Sequence, residues 1–156
     1  MAQGFKDLRY GRIAGGELGF VLEMGASEVI KAQSGRFVSP DTASTPNRGE
    51  IAVAGDTELL GWIELAEQTC SSTEGGTSGW CINDLTAVFR VPVNTGTFTR
   101  IMKGKVCDLA VTSDIQGVDL TASGEDVVWI MDGDLVNNYW VDVRLNPLKM
   151  CATGVV

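Results

Sequence analysis

The stretch that most restricts what this chain can fold into is residues 104–147, GKVCDLAVTSDIQGVDLTASGEDVVWIMDGDLVNNYWVDVRLNP. It is a succession of short β-type runs separated by Gly, Asp and Ser turns. Its most regular piece predicts a strand over residues 135–145. There Leu135, Asn137, Tyr139, Val141, Val143 and Leu145 alternate with Val136, Asn138, Trp140, Asp142 and Arg144. The alternation sends an apolar row into a core and leaves Trp140, Asp142 and Arg144 facing outward. Asn146-Pro147 ends the strand, because proline cannot donate the next ladder bond. Residues 126–131 are apolar on both faces, the pattern of a central strand, which makes Trp129 a core residue.

The same signals recur upstream. Residues 97–102, 105–111 and 115–120 read as strands, the last interrupted by Gly117. Residues 85–91 place Leu85, Ala87, Phe89 and Val91 on one face, and Pro92 limits that strand to an edge or an end. Residues 60–67 fit a strand or a short helix equally, while residues 50–54 form a short strand. Residues 19–32 hold two short strands around Gly25-Ala26-Ser27. Residues 33–48 read as a loop anchored by Phe37 and Val38. Residues 1–18 mix Gly, Arg, Lys and single apolar residues with no period, as an extended arm ordered against a neighbour would.

Strands at about 8–12-residue spacing and no capped amphipathic helix predict an all-β chain: a single β-sandwich or barrel-like domain with an extended N-terminal arm. Residues 1–48 are the arm and loop segment and residues 49–156 the β domain, within one folding unit. Nineteen glycines falling between apolar runs suit many tight turns.

The formal charge of −8 repels phosphate backbones, so no nucleic-acid partner is expected. No run approaches the roughly 20 apolar residues of a membrane span, and no segment has the layout of a secretion signal. The expectation is therefore no membrane partner and synthesis in cytoplasm. Of the four cysteines, Cys70 and Cys81 flank a Gly/Ser/Thr loop that can bring two strand ends into bonding range, a candidate disulfide against a default of buried thiols.

Histidine is absent, which removes Ser-His-Asp and Cys-His catalysis and His-ligated metal sites. Carboxylate chemistry has Asp132 and Asp134, with Asp108 and Glu125 elsewhere, but the DGD triplet is first of all a hairpin turn. It lacks the rest of a calcium loop. The glycines of residues 15–19 have no following Lys-Ser or Lys-Thr to hold a phosphate. No catalytic residue, metal ligand or cofactor is therefore expected. The candidate interface residues are Tyr10, Phe37, Trp80, Trp140, Asp142 and Arg144, since aromatic and arginine side chains dominate protein contacts. A second reading makes Trp140, Tyr139 and Trp80 a stacking platform for sugars, and a third gives the carboxylates a hydrolytic role.

The motifs GKVCDL at residues 104–109, QGVDL at 116–120, DGDL at 132–135 and VDVRLNP at 141–147 carry a resemblance. With them, residues 49–147 resemble the β-rich decoration, or cement, proteins of tailed-phage heads. The resemblance implies a non-enzymatic protein on the outer capsid surface of a virion. It would bridge major capsid subunits, self-associate as a homotrimer, and lay an extended N-terminal segment on the shell. Other phage pieces, such as a tail or head-closure component, share the same β-rich character.

Overall fold

The computed structural model describes residues 10–41 and 48–151. Every regular element among them is a strand, apart from two single 3-10 turns at Arg100–Met102 and Pro147–Lys149. The strands are β1 (Gly11–Ala14), β2 (Gly19–Glu23), β3 (Val29–Ile30), β4 (Phe37–Pro40), β5 (Gly49–Ile51), β6 (Gly61–Glu64), β7 (Gln68–Thr69), β8 (Ser78–Ile82), β9 (Val88–Thr95), β10 (Val106–Thr112), β11 (Ile115–Asp119), β12 (Val128–Gly133) and β13 (Trp140–Leu145).

They make two main layers and a small β3–β7 pair. The larger sheet runs β1-β9-β11-β10-β12-β13 and closes on itself through a β13–β9 pairing. The smaller runs β2-β8-β6-β4-β5, and a bridge from Met24 to Gly49 draws its two outer strands together. Closure and curling remove open edges, the usual hazard of β proteins.

Alternation along the strands sorts the core. Phe89 and Val91 of β9, Leu109 of β10, Val118 of β11, Val128 and Ile130 of β12, and Val141, Val143 and Leu145 of β13 fill the closed sheet. The same cluster continues onto the facing side of the second sheet through Phe37, Trp62 and Ile82. There Trp62 stacks on Phe89 at 4.7 Å between centroids, and Phe37 meets Trp62 edge-on at 4.9 Å. The opposite side of the second sheet buries Leu22, Met24, Val38, Ile63, Cys70 and Cys81 with Ile30 of β3.

Gln116 of β11 ties the layers together and is fully buried. Its Nε2 donates to the carbonyls of Phe37 (2.9 Å) and Ala52 (2.8 Å), and its Oε1 accepts from the Phe37 N–H (2.8 Å). Its own N–H donates to Ser34 Oγ, and its carbonyl accepts from the Gly35 N–H. A buried amide is tolerated when its donors and acceptors are matched in this way.

The all-β reading of the sequence holds, and several local expectations are corrected. Residues 33–48 are not simply a loop: β4 lies inside the second sheet and pairs with β5 across residues 41–48. β1, β2 and β4 all belong to the main layers, so the described residues before Gly49 are built into the same sheets as those after it. The first nine residues, the outer part of the expected arm, lie outside the described residues. Residues 97–102 end in a 3-10 turn and not a strand. Residues 60–67 resolve to strand β6.

Pro92 sits inside β9 without breaking it. The neighbouring Val93 N–H donates toward β13, at Tyr139, so the Pro92 nitrogen faces the other edge. On that edge the β1 pairing stops at Arg90 and the β11 pairing starts at Val93, so no ladder bond is lost. Gly117 has a similar local reason: a Cβ there would stand 2.5 Å from the Pro92 carbonyl oxygen, and its absence lets β11 lie against β9.

The 135–145 strand is shorter than its alternation predicts, because only Trp140–Leu145 is extended. Asp134 accepts hydrogen bonds from the N–H groups of Val136, Asn137 and Tyr139, and Asn138 adopts φ +58°. Those contacts fold residues 134–139 into the β12–β13 turn.

Candidate functional site

Of the carboxylates that sequence made candidates for acid–base chemistry, Asp108, Asp132 and Asp134 are engaged in holding turns. Asp84, which the sequence did not single out, does the same. Asp108 accepts from the N–H groups of Gly124, Glu125 and Asp126, pinning the loop that leads into β12. Asp84 accepts from the N–H and hydroxyl of Thr86 and from the Leu18 N–H. Those bonds hold its carboxyl below the usual range. Asp132 is held low by its ion pair with Lys103, 2.9 Å away. Burial pushes the Asp134 carboxyl up, but its three backbone donors outweigh burial and leave it low. A low pKa suits a turn anchor and opposes proton donation near neutrality. Among the described residues no group of three or more His, Cys, Asp or Glu is placed to hold a metal ion.

The candidate Cys70–Cys81 disulfide is not formed, and both residues are free, buried thiols. Cys70 and Cys81 both lie in the second core cluster, and Cys107 is buried in the first. Burial pushes the thiols of Cys81 and Cys107 up to about 12. They are packing residues with suppressed reactivity.

The candidate interface residues separate into three groups. Phe37 is removed from the surface: it is fully buried between Trp62 and Phe89. Trp140, Asp142 and Arg144 do point away from the core, yet Asp142 is buried among its neighbours. Across β9 the Arg90 guanidinium bonds both Asp142 oxygens, at 2.7 and 2.9 Å, and stands 3.7 Å from the centre of the Trp140 ring. Arg90 was not singled out in the sequence. One face of Trp140 is thereby covered by the guanidinium. Arg144 is paired in register with Trp129, which is 37% exposed and not the core residue its apolar run implied.

Tyr10 and Trp80 form the third group and line a groove between β1 and the second sheet. Tyr10 donates from its hydroxyl to the Tyr139 carbonyl at 3.1 Å, and burial raises its pKa to about 12. Trp80 is 43% exposed, and its indole N–H donates to the Glu17 carbonyl at 2.9 Å, fixing the ring. It turns toward the β1–β2 connection and not over the Gly-rich loop beside the cysteines. That connection is close-packed: a Cβ on Gly15, at φ +80°, would stand 1.9 Å from the Thr86 carbonyl oxygen.

The groove has two halves that meet at Tyr10 and Gly11. One, of about 400 Å³, is lined by Arg12, Glu17, Trp80 and Ile82. The other, of about 310 Å³, is lined by Arg36, Trp62, Leu65 and Ala66. Glu64 lines both halves and stands opposite Trp80 in the β6–β8 register. Arg12 pairs with Glu17, and Arg36 donates to the carbonyls of Leu65, Ser34 and Lys31. Val21, paired with Trp80 across β2–β8, is 69% exposed, and Leu18 is 76% exposed. Glu64 and Glu17 carried no signal in the sequence, because a single Glu in a short strand or a Gly-rich turn looks like ordinary solvated charge.

The arrangement offers aromatic, aliphatic and carboxylate surface in an open concavity, suited to an extended chain or a protein surface. No helix of the described residues is long and apolar enough to cross a membrane. Comparison with protein-family models, with curated proteins and with solved structures gave no match.

Proposed function

We propose that this chain is a non-enzymatic virion structural protein that decorates the outside of a phage capsid and stabilises it by bridging major capsid subunits. The observation that carries this reading is the exposed surface running from Leu18, Val21 and Trp80 through Glu64 and Tyr10 toward the Arg90–Trp140 pair. It combines aromatic anchors, aliphatic area and flanking charge, the composition of protein–protein contact surfaces. Tyr10 contributes to both parts, since it lines the groove and is electrostatically coupled to Arg90.

The scaffold under that surface also supports the reading. Two layers joined by a fully matched buried amide, with turns anchored by carboxylates, give a rigid body that holds its surface in place. A shell is reinforced by modest contacts repeated through symmetry, for which such a surface suffices. The resemblance of residues 49–147 to head decoration proteins selects the capsid among possible partners.

The test is location. Particles purified from the source and labelled with gold-conjugated antibody against the chain should carry gold over the heads. Gold on tails would favour a tail or head-closure component, and unlabelled particles would refute a virion role.

A further inference from the structure

We propose that the outer face of β12 and β13 docks on a major capsid subunit through Arg144, which takes a carboxylate side chain of that subunit; this rests on the capsid reading and deepens it. Arg144 points outward from β13 and is half-buried. Its Nε is shut off from water and has no hydrogen-bond partner, and among the described residues its guanidinium forms no ion pair. A charged donor left unmatched out of water is costly, more so than a neutral one.

The acids of the surrounding elements are engaged elsewhere. On β13 the acid is Asp142, and both its oxygens bond Arg90. On β12 it is Asp132, in an ion pair with Lys103. β9, on the other side, carries no acid. Asp126, ahead of β12, stands within electrostatic reach of the core residue Cys107, and no ion pair joins it to Arg144.

The same face shows what is missing. Arg90 lies against the Trp140 ring and grips a carboxylate at 2.7 and 2.9 Å. Arg144 is paired in register with a second tryptophan, Trp129, and lacks the carboxylate. A partner's Asp or Glu supplies it, since the guanidinium fork matches a carboxylate with two parallel bonds.

The flanks fit a protein surface and not a free anion. Trp129 is 37% exposed, Val106 of β10 is in register with it, and half-buried Val88 of β9 precedes the inward Phe89. Arginine and tryptophan with aliphatic neighbours make a contact hot spot. The net charge of −8 opposes both a phosphate backbone and a second copy as the source of the anion.

The test measures uptake of purified chain by heads made without it, for wild type, Arg144→Gln and Arg144→Lys. Wild type should bind saturably, and Arg144→Gln at least about tenfold more weakly. The melting temperature of free Arg144→Gln should hold, because the arginine side chain has no bond within the chain to lose. Arg144→Lys keeps the charge without the planar fork and should fall between the two. Zero-length carbodiimide coupling of Arg144→Lys on heads should join the new amine to an Asp or Glu of the major capsid protein, read by mass spectrometry of the linked peptide. Equal binding by wild type and Arg144→Gln overturns the inference and leaves the capsid reading standing. A lowered melting temperature of Arg144→Gln, a cross-link only to copies of this chain, or no cross-link at that position overturns it as well. No uptake of wild type overturns both.

Discussion

Replacing Gln116 by Leu removes the side-chain hydrogen bonds by which this residue joins the two β layers while keeping most of the side-chain volume. The Phe37 N–H and the Ala52 carbonyl lose their partner. The Phe37 carbonyl keeps the bond from the Ala52 N–H at 2.9 Å. Each buried group left unmatched costs about 1–3 kcal/mol, so the loss should total about 2–6 kcal/mol. Against the roughly 5–15 kcal/mol of a typical domain, that is a large fraction. Urea denaturation followed by tryptophan fluorescence gives the number, with the slope checked for an unchanged two-state transition. Gln116→Glu adds an internal control. Its carboxylate would face two carbonyl oxygens, so burial and repulsion raise its pKa. The stability deficit should therefore be largest near neutrality and shrink as pH falls through that raised pKa. A Gln116→Leu loss below about 1 kcal/mol would refute the claim that matched polar contacts join the layers.

Three further outcomes follow from single sites. Burial, with Asp56, Asp41 and Glu28 nearby, raises Glu50 from its ordinary value to about 6. The folded chain therefore binds more protons than the unfolded chain between roughly pH 4.5 and 6, and this group's contribution to stability falls as pH rises through that window. Glu50→Gln should raise the melting temperature at pH 7 and flatten its dependence across the window; an unchanged profile would contradict the assignment. A thiol reagent at pH 8 should find Cys70, Cys81 and Cys107 unreactive until denaturant is added and then titrate four thiols, whereas two would indicate a disulfide. Asp142→Ala strips both hydrogen bonds from Arg90 and should cost about 2–4 kcal/mol in the same urea assay, with a loss under about 0.5 kcal/mol counting against the pair.

What the sequence disclosed was local, and what it hid was long-range. The inward row of Val141, Val143 and Leu145 was legible because a strand with one buried face alternates by itself. The start of that strand was not, since the alternation of residues 135–139 is overruled by Asp134 capping three N–H groups of its own turn. Strand β4 was hidden by its Ser, Thr and Pro neighbours. Its burial depends on Gln116, 79 residues away, and on partners β5 and β6. Trp129 misled because its run is apolar on both faces, while the structure covers only one of them. In the groove, Trp80 and Tyr10 were visible as aromatics, but Glu64 becomes informative only when β6 is paired against β8.

The central claim is that this chain strengthens a phage shell from outside. It is tested most directly on particles made without the chain. Heads lacking it should lose their DNA on osmotic shock, and purified protein added back before the shock should restore survival in a saturable way. Equal survival with and without the chain, or no uptake of the added protein by the heads, would contradict the account.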